Sequence, residues 1–291
     1  MNVWILCNED AGRGLSAREL RALVEEAGHT VKGVAKRYDD HSRLTDGDLD
    51  LIVAAGGDGT VATAAGIAAH TSASLAILPL GTANNIATSL GLQRSAADLV
   101  ASWSTARRVP FDLGSARAAS KEWLVMEGIG GGLVPAGIAR VEAAHKHHKE
   151  TTPSEEVAAA VRHFRQTLTD LKPQAWSISI DGRQIDDEFL LVEVLNIRSI
   201  GPNLVFGPDA SPSDGYFDVI TAQESHRREL ETYFDRRAAG RDARLALPRH
   251  RAREVSISSC TELHIDDERV DTCALGSVAI QIRPAAIDVL V

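Results

Sequence analysis

Residues 51–66 read LIVAAGGDGTVATAAG: an apolar run, three glycines around one aspartate, then an alanine-rich stretch. A strand that ends in a glycine turn and opens a helix presents backbone N–H groups at the positive helix end, which suits a phosphate. Gly56, Gly57 and Gly59 would let the main chain approach such a ligand with no Cβ in the way. Asp58 is at odds with a bare phosphate, because the two charges repel. It makes sense if a divalent cation or a donor hydroxyl lies between them, and equal sense as the cap of the helix that follows. The spacing matches neither G-x-x-x-x-G-K-[ST] nor G-x-G-x-x-G. A second turn of the same build, ILPLGTANNIA, comes one crossover later, where Gly81, Thr82, Asn84 and Asn85 offer small polar contacts. Two such turns at neighbouring strand ends would flank one crevice, the place where open α/β sheets bind ligands.

The elements needed to hold these turns can be read from the apolar pattern. Residues 3–6 form a short apolar strand, and 16–27 an amphipathic helix with Leu20, Leu23 and Val24 on one face. The run at 51–55 suits a strand buried on both faces of a parallel sheet. A helix over 60–69, a strand over 75–78 and a helix over 85–90 complete a β/α succession. After about Pro110 the rhythm changes to strands, at 122–127, 176–180, 189–195, 216–220, 254–257, 262–265 and 278–282. Asp181-Gly182 marks a hairpin. One helix interrupts this series, TPSEEVAAAVRHFRQTLTDL, with Thr152 as cap, Pro153 in the first turn and Glu155 completing a capping box. The expected fold is an α/β domain over 1–112, joined by the C-terminal segment 281–291, followed by a β-rich, β-sandwich-like domain over 113–280.

Composition narrows the classes. The chain has 291 residues, 44% hydrophobic and 24% charged, with a formal charge of −9. That balance argues against general nucleic-acid binding, which needs a basic surface. Cys7, Cys260 and Cys273 are odd in number and lack metal-ligand spacing, which points to a reducing, cytoplasmic setting. MNVWILC runs straight into Asn8, Glu9 and Asp10, so no secretory signal is expected. No apolar run approaches the roughly 18 residues of a membrane span.

GGDGT at 56–60, followed by PLGTANN at 79–85, resembles the catalytic domain of the diacylglycerol kinase and sphingosine kinase superfamily, above all its soluble bacterial lipid kinases. More distantly it is similar to NAD kinases, which share GGDG. Later landmarks fall in the family's order: NEDAGRG at 8–14, PDASPSDGYFDV at 208–219 and HIDDERV at 264–270. The resemblance implies an NAD-kinase-like ATP-binding domain, a β-rich second domain and an active site in the cleft between them. It implies that Asn8 and Gly12 line the nucleotide pocket and that Thr82 contacts the nucleotide. Gly56, Gly57, Asp58, Gly59, Thr60, Val61 and Ala62 would wrap the phosphates, with Asp58 near a catalytic Mg²⁺. Glu268 aligns with the family's general base. Asp214, with main-chain oxygens of Ser211 and Tyr216, aligns with ligands of a structural Mg²⁺; from sequence alone Asp214-Gly215 is equally a plain turn.

Three departures stand out. Glu9-Asp10 replaces proline and small residues, Asp267 replaces the glycine before the base, and GIGGGLVPAG and NIRSIGPNLVFG differ from the usual forms. Asp266-Asp267 can still turn, since aspartate tolerates positive φ. His145, His147 and His148 are a metal-site candidate, but adjacent histidines are more often solvated. Residues 226–253 carry nine arginines against four acidic residues. This basic stretch could meet an anionic membrane surface peripherally, or be balanced within the fold or by a dimer partner through a paired sheet edge. The expected activity is ATP- and Mg²⁺-dependent transfer of the γ-phosphoryl group to a lipid or lipid-like alcohol, diacylglycerol-like or sphingoid. A soluble alcohol or nucleotide cofactor as acceptor, or a catalytically impaired nucleotide- or lipid-binding protein, are the alternatives.

Overall fold

A computed structural model describes residues 1–8, 15–39, 49–145, 152–258, 262–272 and 276–291. The chain forms two compact units, one of Met1–Asp112 with Pro284–Val291 and the other of Leu113–Arg283. It leaves the first unit within β5 (Arg108–Ala118) and returns within β18 (Ser277–Leu290).

The first unit contains β1 (Asn2–Cys7), α1 (Ala17–Glu26), β2 (Thr30–Lys36), β3 (Leu51–Gly56), α2 (Asp58–Ala68), β4 (Ser74–Pro79), α3 (Asn85–Ser89) and α4 (Ala96–Ser102). Its strands run parallel in the order β2-β1-β3-β4. Val289, near the end of β18, pairs in parallel with Leu75 of β4. All six residues of β3 are buried, as a central parallel strand covered on both faces requires. Ser16 caps α1 by the reciprocal box: its Oγ accepts from Glu19 N at 3.3 Å and its N–H donates to Glu19 Oε2 at 2.8 Å.

The second unit contains β6 (Lys121–Val125), β7 (Gly128–Gly132), α5 (Leu133–His145), α6 (Pro153–Asp170), β8 (Gln174–Ile180), β9 (Arg183–Phe189), β10 (Leu191–Leu195), the short pair β11 (Ser199–Ile200) and β12 (Leu204–Val205), β13 (Phe217–Ala222), α7 (Arg227–Ala238), β14 (Arg249–Ala252), β15 (Glu254–Ser258), β16 (Glu262–Ile265) and β17 (Glu268–Asp271). One sheet runs β18-β15-β8-β9, with β5 on β18 and β6 on β5. The other runs β14-β13-β10-β7-β16-β17, antiparallel throughout. Alternate residues (Ile178, Val192, Val194, Phe217, Val255 and Ile257 among them) form the core shared by the two sheets. Leu191, Leu195 and Ile220 point the other way, into a second core with Phe164, Leu230, Tyr233 and Phe234 of α6 and α7.

The expectation of a single helix in this unit is corrected: α5 and α7 join α6 among the described residues. Seven of the twelve residues of α7 are charged and it buries only Leu230, Tyr233 and Phe234, so its apolar stripe is narrow. β7, GIGGG, went unseen because glycine has poor strand propensity. The Asp181-Gly182 hairpin forms with φ of 45° and 83°, as a two-residue primed turn demands. No helix among the described residues is long and apolar enough to cross a membrane.

Candidate active site

Because β3 and β4 are adjacent, the two glycine turns after them meet. A Cβ on Gly81 would stand 2.4 Å from the Cα of Gly57, so only glycine lets the two main chains lie together. Leu80 N donates to Gly56 O at 3.0 Å. Asn84 sits at φ 50° and shapes its own turn, accepting from Gly81 N at 3.0 Å and donating to Gly81 O at 2.8 Å. Asp58 does not cap α2, the helix it begins. Its two carboxylate oxygens accept from Asn85 N and Ile86 N, each at 3.0 Å, and so cap α3 in the neighbouring turn. The N-cap of α2, Gly57, has no side-chain cap, which leaves the positive end of an eleven-residue helix to backbone and ligand.

Thr60 and Val61 are buried, Ala62 is half-buried and Thr82 is exposed. Asn8 follows β1, its N–H donating to Ala55 O at 3.2 Å. Gly12, with Glu9 and Asp10, lies outside the described residues, as do His147, His148, Cys260 and Cys273. At these turns sequence reasoning missed Arg37, which, just past β2, lays its guanidinium against Gly59, where a Cβ would stand 2.4 Å from Nη1. No motif marks it, since β2 itself carries no clear strand signal.

These residues fit a triphosphate: an uncapped helix end, glycines where main chain must come close, and a guanidinium beside them. Asp58 spends one lone pair of each oxygen on a backbone N–H, so its first role in the fold is to brace the start of α3. Replacing Asp58 with Ala should therefore destabilise the first unit by about 2–4 kcal/mol, since two amides at a helix start lose a charged acceptor. Thermal unfolding measures it, and an unchanged transition would show that the brace is dispensable.

In the second unit, Asp266 lies at φ 52° in the β16–β17 turn, and its N–H donates to Gly128 O at 2.8 Å. The carboxylate is enclosed: Oδ1 accepts from Glu127 N at 2.8 Å and from Met126 N and Gly128 N at 3.1 Å. Burial pushes its pKa up to about 6, against those three backbone bonds and with the charge of Asp267 adding to the rise. Glu268 opens β17 opposite Ile265 and is exposed. Beneath the turn lies a pair that no motif marks, Glu193 and His264. Both are fully buried, with Nε2 of His264 2.8 Å from Oε2 of Glu193.

Asp214 Oδ1 accepts from Tyr216 N at 3.1 Å, and Oδ2 accepts from Arg251 at 2.7 Å. Arg251 and Arg253 stack over the Tyr216 ring at 4.2 and 4.8 Å, and Ser211 Oγ lies 3.3 Å from Ser213 Oγ. Among the described residues no three His, Cys, Asp or Glu side chains gather as a metal site. The arginine-rich stretch is largely committed inside the unit. Arg227 donates to Glu224 and to the carbonyls of Leu168 and Leu171, Arg236 to Asp242 O, Arg237 to Asn203 O and Arg249 to Asp218.

Two family models match. Residues 2–116 match the diacylglycerol kinase catalytic domain, and residues 132–291, more than half of the chain, match the YegS C-terminal NAD kinase beta sandwich-like domain. A Pseudomonas putida protein named "Probable lipid kinase YegS-like" is 31% identical over 81% of this chain and 75% of its own length. A Bacillus subtilis protein named "Diacylglycerol kinase" is 26% identical over 91% and 88%. A crystal structure of a diacylglycerol kinase from Bacillus anthracis has the same fold, with a TM-score of 0.69 at 18% identity, covering 99% of this chain and 96% of that one. With its glycine turns, its β-sandwich and both domain matches in place, the chain belongs to the diacylglycerol kinase and YegS-like lipid kinase family.

Proposed function

We propose that this lipid kinase-family enzyme transfers the γ-phosphoryl group of ATP to a hydroxyl of a lipid alcohol, diacylglycerol-like or sphingoid. The observation that carries the reading is the interlocked pair of glycine turns at the uncapped start of α2, with Arg37 against Gly59. Gly56, Gly57, Gly59, Thr60, Val61 and Ala62 surround the phosphates, and Asn8 and Thr82 line the rest of the nucleotide. Arg37 adds a fixed positive charge to the helix end. Asp58 acts as the brace that keeps the two turns in register. Magnesium, held by the triphosphate's own oxygens, would spread the charge on the transferring group. We assign Asp214 to its ion pair with Arg251 rather than to a second magnesium, because two guanidinium groups beside it oppose a further cation.

Glu268 takes the proton of the acceptor hydroxyl as that oxygen bonds to the γ-phosphorus and the bond to the departing ADP breaks. An exposed carboxylate at the start of a hairpin strand is open to such a proton. The test is transfer of labelled γ-phosphate to diacylglycerol, sphingosine, ceramide and phosphatidylglycerol in mixed micelles, with glycerol as a soluble acceptor. A labelled lipid is expected. Label in glycerol alone, or in no lipid, would overturn a lipid acceptor.

A further inference from the structure

The middle of the six-stranded sheet holds an arrangement that packing alone does not explain. Gly130 of β7 is paired with Glu193 of β10 on one side and with His264 of β16 on the other. Both outer side chains point to the helix-covered face and meet above the glycine. A Cβ at Gly130 would stand 2.2 Å from the main-chain oxygen of Val192 and 2.5 Å from the Glu193 carboxyl, so the glycine admits both the neighbouring strand and that carboxyl. Nδ1 of His264 then reaches the main-chain oxygen of Asp266 at 2.9 Å. Two residues further on is Glu268.

We propose that Glu193 and His264 are positioning residues that pin the Asp266-Asp267 turn, and with it the Glu268 carboxylate. This rests on Glu268 being the proton acceptor. The chain of contacts is continuous: Glu193 fixes the tautomer and the rotation of the imidazole, and the imidazole holds the Asp266 carbonyl. The Asp266 carboxylate in turn ties the turn to the amides of Met126, Glu127 and Gly128. One proton stays within the Glu193–His264 hydrogen bond. Burial raises the carboxyl pKa despite His264. Burial lowers that of the imidazole, but Glu193 and Asp266 together leave it raised.

Stability is a poor reason for such a pair. Glu193 Oε1 has no hydrogen-bond partner among the described residues, and a half-satisfied buried pair is inferior to an apolar one of the same volume. What it gives is orientation. A proton acceptor displaced by about 1 Å loses on the order of 100-fold in rate.

The test uses the full chain with both residues replaced, Glu193→Leu with His264→Leu, beside the conservative Glu193→Gln. The double leucine variant should unfold at or above the wild-type temperature. Its kcat should fall roughly 10–100-fold with the KM for ATP unchanged. Amide exchange at Asp266 and Gly128 should speed up about tenfold as the turn loosens. Glu193→Gln, which keeps a hydrogen bond to the imidazole, should retain kcat. Wild-type kcat in the double variant, or unchanged exchange at the turn, would overturn the proposal. So would a KM for ATP that rises in step with the loss of kcat, the sign of general disruption. Full transfer by Glu268→Gln would instead remove the reading on which the proposal stands, and the exchange measurement separates the two failures.

Discussion

Replacing Glu268 with Gln should lower phosphoryl transfer to the lipid acceptor by about 10²–10⁴-fold, the range for loss of a general base. ATP binding should stay at the wild-type level. Two features make the outcome clean. Glu268 is exposed at the start of β17, and its side chain has no hydrogen-bond or ion-pair partner among the described residues. Glutamine keeps its shape and hairpin position, so the change in stability should lie within about 0.5 kcal/mol. The loss must then come from the proton. Single-turnover transfer with labelled ATP, next to a nucleotide titration, separates chemistry from binding. An unchanged transfer rate would mean that the acceptor proton leaves by another route.

Asp266→Ala should be the most damaging single change to stability, at about 3–5 kcal/mol, because three backbone N–H groups lose one enclosed acceptor together. In thermal unfolding this is a drop on the order of 10 °C for the unit's transition. Asp266→Asn should be milder, since an amide oxygen in the place of Oδ1 still faces Met126, Glu127 and Gly128. It also removes a titration whose sign is fixed. The folded state holds this proton up to about pH 6, against an ordinary value of 3.8. The contribution of Asp266 is therefore complete below about pH 4 and is lost as the pH rises through 6. The wild type should thus lose ground against Asp266→Asn between pH 4 and 7. Glu122 and Glu224, whose pKa values are lowered by Arg117 and Arg227, act in the opposite sense, with stability lost as the pH falls. Both are exposed, so their part is small. A constant gap between wild type and Asp266→Asn over that range would refute the assignment.

The sequence by itself determined whatever depends on neighbours along the chain. The buried run 51–56 and its glycine turn, the caps at Ser16 and Thr152 and the Asp181-Gly182 hairpin all form as their local chemistry requires. The motifs also led to the right family, because GGDGT and PLGTANN report on two adjacent strand–turn–helix units. The tertiary structure decided which group answers each polar side chain. Asp58, read as a ligand or as a cap of its own helix, caps α3 from 27 residues away. Glu193 finds His264 across 71 residues and Asp266 finds Met126 across 140. Arg37 reaches Gly59 only because β2 lies in the same sheet as β3. Such partners follow from strand order and register, and a one-residue slip would send each side chain to the opposite face. Propensity and spacing carry no record of register between strands so distant, so the place of β7 between β10 and β16 is decided by the tertiary structure alone.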